Sequence, residues 1–451
     1  MRRDFSNKRV VVVGAGESGL ALAGYFHARG ARVVLSDRRP AAEIPAVARL
    51  PQAVTLDAGG HSEPLFTGAD LVVVSPGVPL SVPAVAAAIE RGVEVVGEIE
   101  VACGEIEAPL VAVTGTNGKS TTTMLLGEIF RHWGKRTFLG GNLGTPLVTA
   151  VGASWDWVVA ELSSFQLEAI RTFRPRYALL LNLTEDHLDR YPDMASYVAA
   201  KMRIFENMGE GDVAILNGDD SLVGRESAGL VLRKVVFSSS TLPAEGMGFD
   251  GRQIVWRHAG SETRFDAAEL RLKGLHNIEN VMAALIPPLL EGCPPQLAWE
   301  AVCAFGGLDH RMVPVRELGG VVWYDDSKGT NVGSVVKSLA GLAAPVTLIA
   351  GGKDKGGDYA PLEPLVRGKV AHLILIGQAA PRIAGALGGL TDTRFAATLE
   401  EAVALARTLT QPGGSVLLSP GCSSFDMFKS YAERGERFAR AVLALPEGEA
   451  V

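Results

Sequence analysis

Residues 111–123, VAVTGTNGKSTTT, contain the residue types of a phosphate-binding loop. The Val-rich run predicts a buried strand, and the glycine-rich turn leads into a helix whose free N–H groups can receive phosphate oxygens. Lys119 would neutralise the β- and γ-phosphates of a nucleotide. The hydroxyl of Ser120 or Thr121 would bind Mg²⁺. The stretch therefore predicts a nucleotide site.

This loop is shorter than the usual phosphate loop, which has four residues between its first glycine and its Gly-Lys pair. Gly115 leaves only two residues before Gly118, and Val113 stands where the first glycine is expected. The alternative is an ordinary helix N-terminus. Such a terminus needs a Ser or Thr cap, but it needs no Gly-Lys-Ser after a Val-rich strand. We therefore predict a nucleotide site of an unusual form.

Two later apolar runs end in residues that suit a magnesium–nucleotide site. WVVAE ends in Glu161, whose carboxylate can bind Mg²⁺ directly or through water, and LLLNLTEDH brings His187 to the end of another predicted strand. Mg²⁺ prefers oxygen ligands, so by its chemistry alone His187 is an acid–base or orienting residue. Lys201 lies in a helical pattern and, on sequence grounds alone, is an ordinary surface lysine.

A second glycine-rich turn, Gly14-Ala-Gly16-Glu-Ser-Gly19, lies near the N-terminus. It follows a predicted strand, opens a helix and precedes Asp37 at the end of the next strand, which is the dinucleotide-binding fingerprint. The pattern indicates a pyrophosphate near the backbone and a carboxylate for a ribose hydroxyl, as in NAD or a UDP-sugar. A tight turn without a ligand is the alternative. Further candidate ligand residues at this sheet edge are Arg38, Arg39, Ser75 and Gly77.

Three blocks of alternating strand and helix patterns position these turns. The first contains RVVVVGAG, ARVVLSD, DLVVVSPG and VEVVGE, runs that are typical of parallel strands buried on both faces. The second runs from the phosphate loop through WVVAELSS, YALLLNLTEDH and DVAILNGDD. Residues 235–275 are predicted to form short antiparallel segments that pack beside this second block. The third contains VVWYDDSKGTN, VTLIAGGKDKG, HLILIG and SVLLSPGC.

The expected fold class is therefore α/β with three domains. We predict a Rossmann-like N-terminal domain over residues 1–97, a central P-loop mononucleotide-binding domain over 98–308 and a C-terminal Rossmann-like domain over 309–451. The glycines of FGGLDHR predict a hinge over residues 306–312.

Composition limits the possible partners and location. The 451 residues are too many for one core, and a net charge of −7 argues against a nucleic-acid partner. The four cysteines have no metal-ligand or redox spacing, which predicts free thiols in a reducing compartment: Cys103, Cys293, Cys303 and Cys422. The apolar run 10–13 is too short for a signal peptide, and no run approaches the ~20 residues of a membrane span. We expect a cytoplasmic monomer without a membrane partner.

Several motifs together resemble the Mur ligases and the folylpolyglutamate synthetases, which are ATP-dependent amide-bond ligases. GTNGKSTTT, ELSSFQLE, NLTEDHLDRY followed by Lys201, HNIEN and DHR occur in the order seen in these families, over essentially the whole chain. The shortened loop is their form of the phosphate cradle. The N-terminal fingerprint favours the Mur ligases, because folylpolyglutamate synthetases lack that domain.

The resemblance implies ATP as co-substrate, two Mg²⁺ ions and a UDP-linked substrate. It implies one Mg²⁺ on Ser120 and Glu161, and a second on His187 and a carbamylated Lys201, whose added carboxylate is an oxygen ligand. The implied catalytic residues are Lys119, Glu161, His187 and Lys201. The implied ATP-binding residues are Gly115, Thr116, Asn117, Gly118, Lys119, Ser120, Thr121, Asn280, Arg311 and Asp326. The implied UDP-substrate residues are Gly16, Glu17, Ser18, Asp37, Arg38, Arg39, Ser75, Gly77, Asn142 and Ser163.

Two stretches of the third block resemble the Mur ligases that add D-glutamate: DDSKGTN at 325–331 and SPGCSSFDMFKSYAERG at 419–435. The Asp-Asn-Pro-Arg motif of the diamino-acid-adding members is absent. The implied D-glutamate residues are Thr330, Lys355, Ser424 and Tyr431. Lys353 is the alternative to Lys355. The family often has Phe in place of Tyr431, and usually Ala in place of Gly329 and Gly421. Thr330 and Ser424 could instead cap helices. Lys353 and Lys355 could instead be solvent-exposed charges of a loop.

The implied reaction joins UDP-N-acetylmuramoyl-L-alanine to D-glutamate, a step of peptidoglycan precursor synthesis. The terminal carboxylate attacks the γ-phosphoryl group of ATP to give an acyl phosphate, which the amine of D-glutamate then attacks. The base that deprotonates this amine stays open, because metal binding would occupy one nitrogen of His187. ATP would lie on the central domain and D-glutamate on the third, so the third domain must close for the reaction.

Three alternatives remain. An NAD-dependent dehydrogenase would use the N-terminal fingerprint but leave the phosphate loop, Glu161 and His187 without a role. A nucleotide-binding regulator would keep the loop but would not need Lys201 or the C-terminal stretch. A sister ligase would add a different amino acid, and only the third domain argues against it.

Overall fold

The computed structural model describes residues 3–44 and 48–447, and its strands form three mainly parallel sheets. The α/β fold class with three successive sheets is confirmed. The described chain divides into two compact units. The first comprises Met1–Leu183, Val198–Leu270 and Asn277–Phe305, and the second Thr184–Tyr197, Arg271–His276 and Gly306–Val451. In the part of the chain that is described, no helix is both long and apolar enough to cross a bilayer.

The first sheet has five parallel strands, which lie in the order 3-2-1-4-5 along the sheet. Valines fill the inner strands because both faces are covered by helices. The strands are β1 Arg9–Val13, β2 Arg32–Asp37, β3 Thr55–Ala58, β4 Leu71–Val74 and β5 Glu94–Gly97. The helices are α1 Glu17–Ala28, α2 Glu63–Thr67, α3 Pro83–Glu90 and α4 Glu98–Cys103, with a 3-10 helix at Ala41–Glu43.

The second sheet has nine strands in the order 14-13-12-11-10-9-6-8-7. The strands are β6 Leu110–Thr114, β7 Thr137–Gly141, β8 Trp157–Glu161, β9 Tyr177–Leu180, β10 Val213–Asn217, β11 Arg233–Ser238, β12 Gly246–Phe249, β13 Gln253–His258 and β14 Ser261–Asp266. The helices of this stretch are α5 Lys119–His132, α6 Ser164–Leu167, α7 Met194–Met202, α8 Ser221–Ser227, α9 Leu275–Leu290 and α10 Pro295–Ala304. The 3-10 helices are Leu147–Ala150, Arg203–Phe205 and Ala267–Glu269.

One prediction about this region is confirmed only in part. The segment 233–238 forms β11, a parallel neighbour of β10, and β12 pairs in parallel with β11, so both strands continue the sheet and do not pack beside it. The runs QIVWRH and ETRFD form β13 and β14, which pair in antiparallel fashion as predicted. Only β12, β13 and β14 pair in antiparallel fashion. The strand β11 alternates exposed and buried residues only weakly, so its pattern does not distinguish an inner parallel strand from a hairpin strand.

The third sheet has six strands in the order 15-16-20-17-18-19, and all neighbours except the first pair are parallel. Apolar clusters cover its two faces, one around Leu348 and Leu373 and the other around Trp323 and Phe438. The strands are β15 Val313–Leu318, β16 Val321–Asp325, β17 Val346–Gly351, β18 Val370–Ile376, β19 Asp392–Phe395 and β20 Ser415–Leu418. The helices are α11 Val332–Ala340, α12 Glu363–Lys369, α13 Ala380–Leu387, α14 Leu399–Leu409 and α15 Tyr431–Leu443, with a 3-10 helix at Ala360–Leu362.

Candidate active site

The phosphate loop connects β6 to α5, as predicted, and both of its glycines are needed. Gly115 has φ +144°, and a Cβ there would lie 3.0 Å from the Cβ of Leu181. Gly118 has φ +88°, and a Cβ there would lie 2.2 Å from Oδ1 of Asn280. Only glycine adopts such backbone angles without cost. The close approach also places the predicted ATP residue Asn280 directly against the loop.

Asn182, which follows β9, holds the loop in shape. Its Oδ1 accepts the backbone N–H of Asn117 over 2.7 Å, and its Nδ2 donates to the carbonyl of Asn117 over 2.9 Å. Its own carbonyl accepts the N–H of Thr116 over 2.9 Å. Sequence analysis missed this residue. The available signal was a polar side chain at the end of a buried strand, in the run LLLN.

Two lysines of the predicted catalytic set point at loop carbonyls. Nζ of Lys119 donates to Gly115 O over 3.0 Å and to Thr116 O over 2.8 Å. Nζ of Lys201 donates to Gly115 O over 2.8 Å, and Lys201 is only 1% exposed. The interpretation of Lys201 as a surface lysine is therefore wrong. A buried lysine needs a specific environment, since burying an ammonium group is costly.

Glu161 and Thr121 supply buried oxygen atoms beside the loop. Glu161 pairs with Val113 in the sheet register, so its carboxylate lies at the end of the strand next to β6. Its Oε1 accepts the amide of Asn142 over 2.6 Å. Its Oε2, like Oγ1 of Thr121, is buried without a hydrogen-bond partner among the described residues. Buried oxygens are normally satisfied, so these two fit a hard cation such as Mg²⁺.

The N-terminal turn has the geometry of the predicted fingerprint. Gly14 has φ +94°, and a Cβ on it would lie 3.1 Å from Ser75. A Cβ on Gly19 would lie 1.8 Å from the carbonyl of Gly14, so this glycine permits close helix–strand packing. Gly16 caps α1 and has open space around it, and Ser75 Oγ donates to Gly14 O over 3.2 Å.

Both carboxylate oxygens of Asp37 accept hydrogen bonds from other residues of the protein. It accepts the N–H of Ala15 over 2.7 Å and, from Arg39, the backbone N–H, Nε and Nη2 over 2.8–2.9 Å. The Arg39 guanidinium and these N–H groups hold the pKa of Asp37 well below its usual range, although burial opposes them. In this structure Asp37 therefore ties Arg39 to the glycine turn.

The other predicted UDP-substrate residues lie in the same unit. Ser163 caps α6 through a capping box with Gln166, while Arg38, Gly77 and Asn142 are exposed. Glu17 and Ser18 form the first turn of α1, and Glu17 pairs with Arg49 over 3.3 Å at the surface.

In the second unit, Asp186 forms a buried polar cluster beside His187. Its carboxylate accepts Nζ of Lys355 and Nδ2 of Asn331, each over 3.0 Å. Burial acts to raise its pKa, but the Lys355 ammonium, His187 and these hydrogen bonds bring it to about 2. His187 has φ +57° and stands 3.7 Å from Asp186 through Nε2. Sequence analysis named Lys355 and His187 but missed Asp186.

Arg311 and Asp326, the remaining predicted ATP residues, also belong to the second unit. Nε of Arg311 is buried without a hydrogen-bond partner in the described chain. Asp326 is 2% exposed and accepts the hydroxyls of Ser338 and Ser419, each over 2.7 Å. Burial raises the pKa of Asp326 to about 6, against the opposing charge of Arg311.

Three loops that carry the predicted amino-acid residues are joined by backbone hydrogen bonds. Gly421 N donates to Gly329 O over 2.8 Å, linking the loops after β16 and β20. Lys353 and Ser423 exchange hydrogen bonds of 2.9 and 3.1 Å, linking the loops after β17 and β20. Thr330, Lys355 and Ser424 therefore lie on one connected set of loops at the carboxyl ends of the strands, where open α/β sheets bind ligands.

Arg434 of α15 fixes two of these loops from within. It is fully buried, and its guanidinium donates to Ser327 Oγ and Ser327 O over 2.9 Å each and to Cys422 O over 3.3 Å. Burial lowers its pKa to about 10, so it remains a cation at neutral pH. In the sequence this arginine was only part of the stretch 419–435 that carries the resemblance, and no separate role was predicted for it.

The capping alternatives for Thr330 and Ser424 are wrong. Asn331 caps α11 by accepting Ser334 N over 2.8 Å, and Ser430 caps α15. Ser424 is 2% exposed, whereas Tyr431 begins α15 and is 36% exposed. Gly329, where the family usually has Ala, leaves no room for a methyl group, since a Cβ would lie 2.6 Å from Oδ2 of Asp326.

Comparison with known proteins agrees with this arrangement along the whole chain. Family models for the Mur ligase MurD-like N-terminal domain, the Mur ligase middle domain and the Mur ligase glutamate ligase domain match residues 8–97, 113–287 and 310–422. The UDP-N-acetylmuramoylalanine–D-glutamate ligase of Syntrophotalea carbinolica is 66% identical, over 98% of this chain and 99% of its own. The enzyme of the same name from Geotalea uraniireducens is 53% identical, over 98% of both chains.

Solved structures share the fold at low sequence identity. A pseudomurein peptide ligase type C from Methanothermus fervidus superposes with a TM-score of 0.63 at 17% identity, over 97% of this chain and 99% of its own. A UDP-N-acetylmuramate–alanine ligase from Thermotoga maritima superposes with a TM-score of 0.62 at 18% identity, over 97% and 100%.

Proposed function

The chain belongs to the Mur ligase family, and from that premise we propose that it joins D-glutamate to UDP-N-acetylmuramoyl-L-alanine at the expense of ATP. The single observation that carries this proposal is 66% identity to a D-glutamate ligase over nearly the full length of both chains. The connected loops that carry Thr330, Lys355 and Ser424 support it, because two of them, the loops of Thr330 and Ser424, are built from the stretches that resemble the D-glutamate-adding members.

The family uses ATP as co-substrate, and the phosphate loop is the proposed place of its phosphates. The N-terminal N–H groups of α5 and the ammonium of Lys119 would receive phosphate oxygens. To do so, Nζ of Lys119 would have to give up its hydrogen bonds to the carbonyls of Gly115 and Thr116 and bind phosphate oxygens in their place. Asn280, Arg311 and Asp326 are proposed to contact the remainder of the nucleotide.

We propose that two Mg²⁺ ions accompany ATP. Glu161 and a hydroxyl of Ser120 or Thr121 would hold the first, which fits the buried oxygens that have no partner. His187 and a carbamylated Lys201 would hold the second. In the described chain, no group of three or more His, Cys, Asp or Glu side chains is placed to hold a metal alone, so phosphate oxygens would complete the coordination. When bound, the ions would neutralise charge on the transferring phosphoryl group.

The N-terminal sheet is proposed to bind the UDP part of the substrate. The open space at Gly16 and the N-terminus of α1 suit a pyrophosphate. Since Asp37 is already occupied by Arg39, we propose that it positions that arginine, and that Arg38 and Arg39 meet anionic groups of the substrate.

The reaction proposed is acyl-phosphate formation followed by amide formation. The terminal carboxylate of the substrate attacks the γ-phosphoryl group, and ADP leaves. The amine of D-glutamate then attacks the acyl carbon, and phosphate leaves.

We further propose that the protein is a cytoplasmic monomer. Its third domain is proposed to close about residues 306–312 when ATP binds.

The deciding experiment measures ATP-dependent phosphate release with Mg²⁺ and UDP-N-acetylmuramoyl-L-alanine across a panel of amino acids, with product masses measured in parallel. Release with D-glutamate alone, and a product heavier by one glutamyl residue, is expected. Release with a different amino acid would contradict the assignment of Thr330, Lys355, Ser424 and Tyr431. The absence of phosphate release with every amino acid would contradict the proposed function.

Carbamylation of Lys201 has a separate test. Lys201→Ala should lose activity, and a short carboxylic acid such as acetate should restore part of it by supplying the missing oxygen ligand. Lys201→Arg keeps a cation but cannot be carbamylated in the same way, and it should stay inactive with acetate. Full activity of Lys201→Ala without acetate would contradict the role.

A further inference from the structure

His310 and Asp325 form a buried acid–imidazole pair at the base of the loop that carries Thr330. Nδ1 of His310 stands 2.7 Å from Oδ2 of Asp325, which is 3% exposed. The other carboxylate oxygen accepts the N–H of Ser327 over 2.9 Å. An ionised carboxylate only accepts hydrogen bonds, so this contact places a proton on Nδ1, and whenever the ring is neutral its lone pair lies on Nε2.

The backbone is shaped to hold this pair. His310 has φ +61°, a left-handed conformation that few residues adopt, and its carbonyl accepts Lys328 N over 2.9 Å. Gly435 leaves the space for the ring, because a Cβ there would lie 2.2 Å from Nδ1 and 2.7 Å from the carboxylate. Such close packing fixes both the ring and its tautomer.

The free edge of the ring borders the proposed D-glutamate site. The ring centroids of His310 and Tyr431 are 6.3 Å apart in an edge-to-face arrangement, and the side chain of His310 keeps 17% of its surface exposed. Its Nε2 has no hydrogen-bond partner among the described residues. The charged groups around it are Asp325, Lys328, whose Nζ stands 3.2 Å from the Tyr431 hydroxyl, and the buried Arg434 behind Ser327.

We propose that His310 is the general base that takes a proton from the ammonium group of D-glutamate, and that Asp325 is the positioning residue that holds it. The inference rests on the proposed function. The ammonium proton passes to Nε2, and the freed lone pair forms the C–N bond to the acyl carbon. The C–O bond to phosphate breaks with its electron pair, and the second nitrogen proton passes to the leaving phosphate. His310 returns its proton to water.

The test compares two acceptors that differ in their need for a base. D-glutamate presents an ammonium group at neutral pH, whereas hydroxylamine is already neutral and traps the acyl phosphate as a hydroxamate. The matched variant is His310→Asn, because asparagine tolerates a left-handed backbone and its amide can donate to Asp325. We expect its kcat with D-glutamate to fall about 100-fold or more, since general bases typically contribute 10²–10⁴. Hydroxamate formation should stay within about threefold of wild type.

A pH profile supplies a readout that a merely structural role would not move. The D-glutamate rate of His310→Asn should rise about tenfold per pH unit above neutrality, following the fraction of free amine. The wild-type rate should level off in that range. Asp325→Asn should show the same selective loss, but a smaller one, because Ser327 N keeps an acceptor.

Three outcomes would overturn the inference: an equal loss with both acceptors, an unchanged D-glutamate rate in His310→Asn, or variant and wild-type profiles of the same shape. If wild type releases no phosphate with either acceptor, the proposed function fails and the inference fails with it. Hydroxamate formation by wild type with no D-glutamate product would contradict the amino acid assigned, and so remove the reason to place a base at this site.

Discussion

Glu98, the first residue of α4, should make the stability of the protein depend on pH near neutrality. It is 2% exposed; its Oε1 accepts Val148 N over 2.6 Å, and its Oε2 is buried without a partner among the described residues. Burial raises its pKa from 4.5 to about 7, against hydrogen bonds from the N–H groups of Val148 and Leu147. The native state therefore holds the proton more tightly than the unfolded chain does. The stabilisation is greatest below pH 4.5 and is lost as the pH rises from 4.5 through 7.

The size of the effect follows from the two pKa values. At about 1.4 kcal/mol per pH unit, the interval from 4.5 to about 7 corresponds to about 3 kcal/mol, of which about 2 kcal/mol falls between pH 5.5 and pH 8. Glu98→Gln keeps an oxygen to accept from Val148 but cannot ionise. Urea unfolding followed by circular dichroism, at several pH values, should show wild type losing about 2 kcal/mol relative to the variant over that range.

Glu100 of the same helix is the matched control. It is also buried, but its carboxylate accepts Arg171 N, Thr172 N and Phe173 N over 2.8–3.0 Å. Glu100→Gln loses part of this hydrogen-bond set and should be less stable by about 1–3 kcal/mol. If the free energies of unfolding of Glu98→Gln and wild type ran parallel from pH 5.5 to pH 8, the assignment of a burial-raised pKa to Glu98 would be refuted.

Three further substitutions test the close contacts of the site. Gly435→Ala places a methyl group against His310 and Asp325, and should cost about 1–3 kcal/mol of unfolding free energy together with most of the D-glutamate-dependent phosphate release. Arg434→Lys cannot bind Ser327 and Cys422 together, so the KM for D-glutamate should rise at least about tenfold while the KM for ATP changes little; equal changes would contradict this. Gly118→Ala meets Asn280 in a left-handed turn and should weaken ATP binding, as measured by calorimetry, without altering affinity for the UDP substrate.

The features that the sequence predicted are those encoded by neighbouring residues. The Val-rich strands, the glycine turns and the polar residues at strand ends lie where local patterns place them, since period, turn chemistry and strand polarity are short-range properties. The family resemblance then supplied the proposed roles of Lys201 and Arg311, which local patterns did not indicate.

The features that escaped prediction depend on partners far apart in the chain. Lys201 is buried because it meets a carbonyl 86 residues away, and Arg434 because it meets Ser327 107 residues away. Neither partner changes the periodicity around the residue, so helix α7 looks like an ordinary surface helix. The parallel pairing of β11 with β10 likewise depends on a distant feature. Strand β9 occupies one edge of β10, so β11 pairs with the other edge, and the residues of β11 alone do not indicate this.

The shortened phosphate loop is supported by a residue that lies far from it in the sequence. The usual phosphate loop has four residues between its first glycine and its Gly-Lys pair, whereas this one has two. Asn182 holds this loop with hydrogen bonds to Thr116 and Asn117. It can do so because β6 and β9 are neighbours in the sheet, with Thr114 opposite Leu180. The shape of the loop therefore depends on two neighbouring strands, and not on the spacing of its glycines alone.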